Sequence, residues 1–138
     1  AHDSDLFNRW DAAQMLGRDA ILAAAGGAAL VVDDLAWGFH QILDNATLLD
    51  DFKAGSLRLP GLPVLEAAGH PADPVALFYA RRAVIGALGK ALCDEIAAAT
   101  ARRAALAASA GGRALLVQFV ELGVAADDWV CWPRCGRP

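Results

Sequence analysis

The sequence predicts an all-α fold: an antiparallel helical bundle, or a slice of a helical superhelix, of about five to six helices. Three observations carry that prediction. Apolar side chains recur at steps of three and four along most of the chain, and no stretch alternates with the period of two that a strand requires. Alanine, the strongest helix former, supplies much of an apolar content of 57%, above the ~45–50% of an average globular chain. Helix start and stop residues punctuate the sequence at plausible helix lengths, above all the pair Asp73-Pro74.

The first helix is expected to begin between Ser4 and Asn8, with Asp3, Ser4, Asp5 and Asn8 competing as its cap. It presents a stripe of Leu6, Trp10, Ala13, Gly17 and Ile21 and ends at Gly26-Gly27. Trp10 and Phe7 near its start read as anchors for other helices. As a core anchor, Trp10 would cost about 3–5 kcal/mol on truncation to alanine. Asp33-Asp34 should open a second helix, where acidic residues complement the positive helix terminus, with Leu35, Phe39, Ile42, Leu43 and Ala46 inward. A break at Asp44-Asn45 and a cap at Thr47 predict a third, short helix to about Lys53, closed by Ala54-Gly55.

Leu57 to Pro63 reads as extended, because Pro60 and Pro63 each push the preceding residue out of helical space. One or two helical turns follow over Val64–Ala68, ended by Gly69, and His70-Pro71-Ala72 reads as linker. Asp73 with Pro74 at the first helical position then predicts the longest helix, to Ala108. Its rows are Leu77, Val84, Leu88, Ala91 and Phe78, Ile85, Leu92, Ile96. Gly111-Gly112 should stop it, and Arg113–Gly123 should form a last helix with Leu115, Phe119 and Leu122 inward.

A net charge of −4 and a pI near 5.2 argue against a nucleic-acid partner, and Arg81-Arg82 and Arg102-Arg103 read as solvated helix flanks. The longest uncharged apolar run, Ala20–Val32, is 13 residues, too short for the ~20 that cross a membrane. The start carries Asp3 and Asp5 where a signal peptide would be basic, which points to the cytoplasm. Three cysteines with no secretion signal favour free thiols; Cys93 reads as a small buried hydrophobe, and Cys131 and Cys135 lack the second pair a zinc site needs.

No active site can be assembled from the sequence, and no catalytic, cofactor-binding or metal-binding residue is assigned. His2, His40 and His70 are not arranged as His-Glu-x-x-His, and His40 reads as a partly buried structural residue. Asp33-Asp34, Asp50-Asp51 and Asp127-Asp128 are adjacent pairs whose side chains diverge on a helix, so none forms a converging acid–base dyad. So apolar a small chain should also expose a sizeable apolar patch, which implies a partner.

The segment Asp5-Leu6-Phe7-Asn8-Arg9-Trp10-Asp11-Ala12-Ala13-Gln14 resembles a motif of bacterial aminopeptidase N, a zinc metallopeptidase family. There, Asp-x-Phe-Asn-Arg-Trp-(Asp/Glu)-Ala-x-Gln opens the helical C-terminal domain. Later features follow in the same order over residues 3 to 110: Asp44 before a short helix, Phe52 and Ala54, the Leu-x-Leu-Pro element Leu57-Arg58-Leu59-Pro60, and Asp73-Pro74 leading a helix that carries Arg81-Arg82. The resemblance implies a fragment of a zinc exopeptidase, from the helical part that encloses the active-site cavity. The family's zinc helix and its Gly-Ala-Met-Glu-Asn strand have no counterpart here. Zinc is expected in the full-length enzyme and no cofactor in this segment. The expected partner is the remainder of the parent peptidase. The alternative is a stand-alone helical interaction module that self-associates through its apolar faces. Residues 1–112 carry the resemblance, whereas 113–138 depart from the family pattern and read as a truncated or out-of-frame tail.

Overall fold

The computed structural model describes residues 3–68 and 73–125. Among them are eight helices and no strand: α1 (Asp3–Ala25), α2 (Asp33–Asp44), α3 (Asp50–Leu57), α4 (Leu62–Ala68), α5 (Pro74–Ala91), α6 (Cys93–Ala101), α7 (Arg103–Ala107) and α8 (Ala110–Ala125). The all-α expectation holds, with more helices than the five or six foreseen. His2, Gly69, the linker His70-Pro71-Ala72 and the tail with Trp129, Cys131 and Cys135 lie outside the described residues, as does the side chain of Leu6.

α8 is the element around which the unit closes. It packs against α3, α5, α6 and α7, while α1 crosses α5 and also meets α2 and α3. The core joins Phe39 of α2, Ile21 of α1, Leu65 of α4, Leu77, Val84 and Leu88 of α5 and the linking Leu92. Leu115, Phe119 and Leu122 of α8 point inward, as their spacing predicts.

Several boundaries follow from local chemistry. α1 ends in a Schellman arrangement: Ala28 N–H donates to Ala23 O (3.0 Å) and Gly27 N–H to Ala24 O (3.1 Å). Gly27 holds a φ of 88°, which an L side chain resists. α5 starts with the Asp73 side chain accepting from Val75 N–H at 3.0 Å and Pro74 in the first turn. α2 begins on Asp33 and Asp34, and its C-terminal carbonyl at Leu43 receives Lys53 Nζ at 2.8 Å.

Elsewhere the structure corrects the expectations. Thr47 caps no helix; the Asn45 carboxamide oxygen accepts from its N–H and its hydroxyl in an Asx turn, so α3 starts later, at Asp50, and runs through Ala54-Gly55 to Leu57. The expected helix from Pro74 to Ala108 is three helices, broken at Leu92 (φ −98°, ψ 20°) and Arg102 (φ −101°, ψ 15°). Thirty-five residues of straight helix would span ~50 Å against the ~24 Å of α8, so only a bent path keeps all three pieces on that helix. Gly111-Gly112 lie inside the first turn of α8, where Ser109 Oγ accepts from Gly112 N–H at 2.9 Å and caps the helix. Small residues suit that place, because a Cβ on Gly111 would come within 2.9 Å of Asp51.

Trp10 is the largest correction. It lies on the stripe of Ala13, Gly17 and Ile21, yet it is 36% exposed, and Phe7 is 62% exposed. Ala13, Gly17 and Ile21 are buried as expected, but no described side chain from Asp5 to Ala12 is. The first turns of α1 are thus less covered than the rest of the helix, and Trp10 is a partly covered residue whose ring meets Phe7, not a fully buried anchor. Phe78 and Ala91, expected inward on α5, are also exposed.

Candidate functional site

The connection between α3 and α4 is where separate parts of the chain converge. Arg58 is extended (φ −74°, ψ 118°), and Leu57, Leu59 and Pro60 are buried around it; the extended stretch is shorter than the expected Leu57–Pro63, since Leu57 ends α3 and Pro63 lies in the first turn of α4, which starts at Leu62. An extended strap has carbonyls with no helix partner, and such groups must find donors elsewhere. Gln14 Nε2 of α1 donates to Arg58 O at 2.8 Å, and Arg81 Nε of α5 donates to Pro60 O at 2.9 Å. Between these two bonds Gly17 leaves room for the strap: a Cβ there would sit 2.8 Å from Leu59 Cδ2. The strap is thus clasped from both sides. Arg81 is therefore a partly buried tie, not the solvated flank its pairing with Arg82 suggests; Arg82 is exposed, as are Arg102 and Arg103.

The polar residues form no comparable convergence. His40 is half-buried, as expected, and its Nδ1 meets Glu95 Oε1 of α6, while Glu95 Oε2 is buried without a hydrogen-bond partner. Asp33-Asp34 and Asp50-Asp51 occupy the first turns of α2 and α3, where the helix dipole favours them. Asp127-Asp128 lie outside the described residues. Among the described residues no three of His, Cys, Asp or Glu gather closely enough to hold a metal ion. Cys93 contradicts the free-thiol expectation: it is half-buried and joined in a disulfide, with Cys131 and Cys135 both outside the described residues. Cys93 is the first residue of α6 and not, as expected, an interior position of one long helix.

The described residues also line surface grooves. One, of about 620 Å³, runs between α1 and α2 and is lined by Leu16, Trp37 and Ile42 with Arg9, Asp34 and Asp44. A second, of about 730 Å³, lies among α4, α5 and α8, where Leu62, Pro63, Phe78 and Val120 meet Arg82 and Glu121. Exposed apolar side chains border both, including Trp37 (67%) and Phe78. Aromatic and aliphatic surface next to sparse charge suits protein contact better than chemistry on a small substrate.

The family described as "Domain of unknown function (DUF3458_C) ARM repeats" matches residues 1–131. The chain belongs to this family. ARM-repeat architecture agrees with the stacked short helices seen here, and of the two architectures expected from the sequence, bundle or superhelix slice, it corresponds to the second. The aminopeptidase N of Caulobacter vibrioides is 43% identical over 84 residues, which cover 57% of this chain and 9% of that protein. The resemblance to part of bacterial aminopeptidase N is therefore borne out. The chain spans only about a tenth of the length of this relative. The pieces that carry the resemblance, Gln14 at the end of the first motif, Leu57-Arg58-Leu59-Pro60, and Arg81, are the pieces that meet in the clasp.

Proposed function

We propose that this chain is a helical segment of an aminopeptidase N-like zinc exopeptidase, with a packing role and no catalysis of its own. The observation that carries the proposal is the 43% identity to part of such an enzyme within an ARM-repeat domain. The structure gives the segment a physical job: it is a set of short stacked helices, held in register by the clasp on residues 57–60, with apolar side chains left on its outside. The parent enzyme would remove N-terminal amino acids from peptides, and this segment would form part of the wall that encloses its cavity. Among the described residues no three of His, Cys, Asp or Glu gather closely enough to hold a metal ion, and zinc enters our reading through the parent enzyme.

Within the segment, residues 1–112 are the part we assign to the start of the helical domain, and 113–138 the divergent part. Among the described residues no helix is long and apolar enough to cross a membrane. A cytoplasmic location belongs to the same proposal. The disulfide at Cys93 stands against it, since disulfides persist in oxidising compartments. Recovery of the protein from a periplasmic or secreted fraction would refute that part.

Two experiments test the main reading. The purified chain with added zinc should hydrolyse aminoacyl chromogenic substrates no faster than buffer does; robust, chelator-sensitive turnover would overturn it. The gene should also be read upstream of the codon for Ala1. A frame continuing into a peptidase domain with His-Glu-x-x-His supports the reading, and a gene with no peptidase encoded ahead of it defeats it.

A further inference from the structure

We propose that the disulfide at Cys93 is a redox latch: it ties the chain beyond α8 to the first residue of α6, and a thiol reductant opens it in the folded protein. This goes beyond the reading above and does not depend on it, because the chain carries all the sulfurs the latch needs.

Counting cysteines identifies the partner. The sequence holds three, Cys93, Cys131 and Cys135. Cys93 is joined in a disulfide, so within the chain its partner is Cys131 or Cys135, and both follow the end of α8 at Ala125. With either partner the bond closes a loop of about 40 residues that holds α6, α7 and α8. α8 is the helix on which α3, α5, α6 and α7 all pack. A cross-link across that loop restricts the unfolded chain, and the restriction grows with loop length. The closed latch therefore stabilises the part of the fold that the other helices rest on.

Position makes the bond reducible. Cys93 is half-buried and its neighbours Ala91 and Asp94 are exposed, so a thiol from solution has a path to the bond. A first reductant thiolate attacks one sulfur, forms a mixed disulfide with it and releases the other cysteine. A second thiolate attacks the mixed disulfide, frees the second cysteine and leaves as the oxidised dimer of the reductant. The protein gains two electrons and two protons, all supplied by the two reductant thiols. The latch is closed where disulfides persist and open where glutathione keeps thiols reduced.

The test uses the 138-residue chain. The protein, purified without reductant, is alkylated, digested with trypsin and mapped by mass spectrometry. Cleavage after Lys90, Arg102, Arg113 and Arg134 places the three cysteines in separate peptides, 91–102, 114–134 and 135–138. Peptide 91–102 should be linked to one of the other two, with one cysteine alkylated before reduction and three after it. Three alkylated cysteines at the outset, or a link between two copies of the chain, would overturn the proposal. Millimolar reduced glutathione, added to the folded protein, should open the bond and lower the Tm by about 10–15 °C. Cys93→Ser should melt at the temperature of the reduced protein and ignore glutathione. A bond that yields to glutathione only in denaturant, or an unchanged Tm after reduction, would overturn the latch. Each of these results is independent of whether a peptidase is encoded ahead of Ala1.

Discussion

Replacing Arg81 with methionine tests whether the clasp holds the segment together. The Arg81 Nε donates to Pro60 O at 2.9 Å from a partly buried position, and Pro60 itself is buried. Methionine keeps the apolar stem of the side chain, so what is lost is a hydrogen bond from a charged donor, about 1.5–3 kcal/mol. The orphaned carbonyl adds nothing separate, because its desolvation is already counted in that range. For a domain of this size each kcal/mol corresponds to about 3–4 °C, so the Tm should fall by about 5–12 °C. Arg82→Met is the control: one residue along and exposed, it should stay within about 0.5 kcal/mol of the parent sequence. Gln14→Ala removes the other tie, at Arg58 O, and should cost about 0.5–1.5 kcal/mol. Both ties grip one strap, so the double variant should lose less than the sum of the two. Thermal denaturation followed by circular dichroism reads all four proteins. Equal effects at positions 81 and 82, or strict additivity of 14 and 81, would refute the clasp.

The remaining predictions concern single positions and use the same denaturation assay. Trp10→Ala should cost clearly less than Phe39→Ala, because Trp10 is 36% exposed whereas Phe39 is fully buried, where truncation costs about 3–5 kcal/mol. Similar losses at the two positions would show that the start of α1 is packed as tightly as the core. Asp73→Ala removes the side-chain acceptor for Val75 N–H and should cost about 1 kcal/mol, with Asp73→Asn retaining most of it. Gly27→Val forces a branched side chain to a φ of 88° and should cost at least about 1–2 kcal/mol; an unchanged Tm would mean that α1 ends differently.

What could be read from the sequence was what its local chemistry writes. Asp73-Pro74, Asp33-Asp34 and Gly26-Gly27 marked true boundaries because a cap, a dipole and a positive φ act within a few residues. The breaks at Leu92 and Arg102 carry no proline or glycine; they come from the need to stay on α8, which no local window contains. Gly111-Gly112 read as a stop because glycine ends helices, but the Ser109 hydroxyl two residues before Gly111 makes that stretch a beginning. Periodicity placed Trp10 on the right face of α1 and could not say that burial along that face falls off before Ala13. The clasp was legible only as fragments: Gln14 lies 44 residues from the carbonyl it binds and Arg81 lies 21 from its own. Pro60 nonetheless gave notice, since an extended strap among helices must take its hydrogen bonds from somewhere.

The place of α8 also bears on how the protein is made. Translation delivers the N-terminal helices first, at roughly 5–20 residues per second. Yet α3, α5, α6 and α7 all rest on a helix that is not synthesised until residue 110 onward. Until it emerges, the faces of α3 and α5 that rest on α8 have incomplete cover, and the nascent chain is at its most vulnerable to aggregation and to chaperone capture. A ribosome stalled shortly before α8 would hold a cluster of helices still waiting for their keystone.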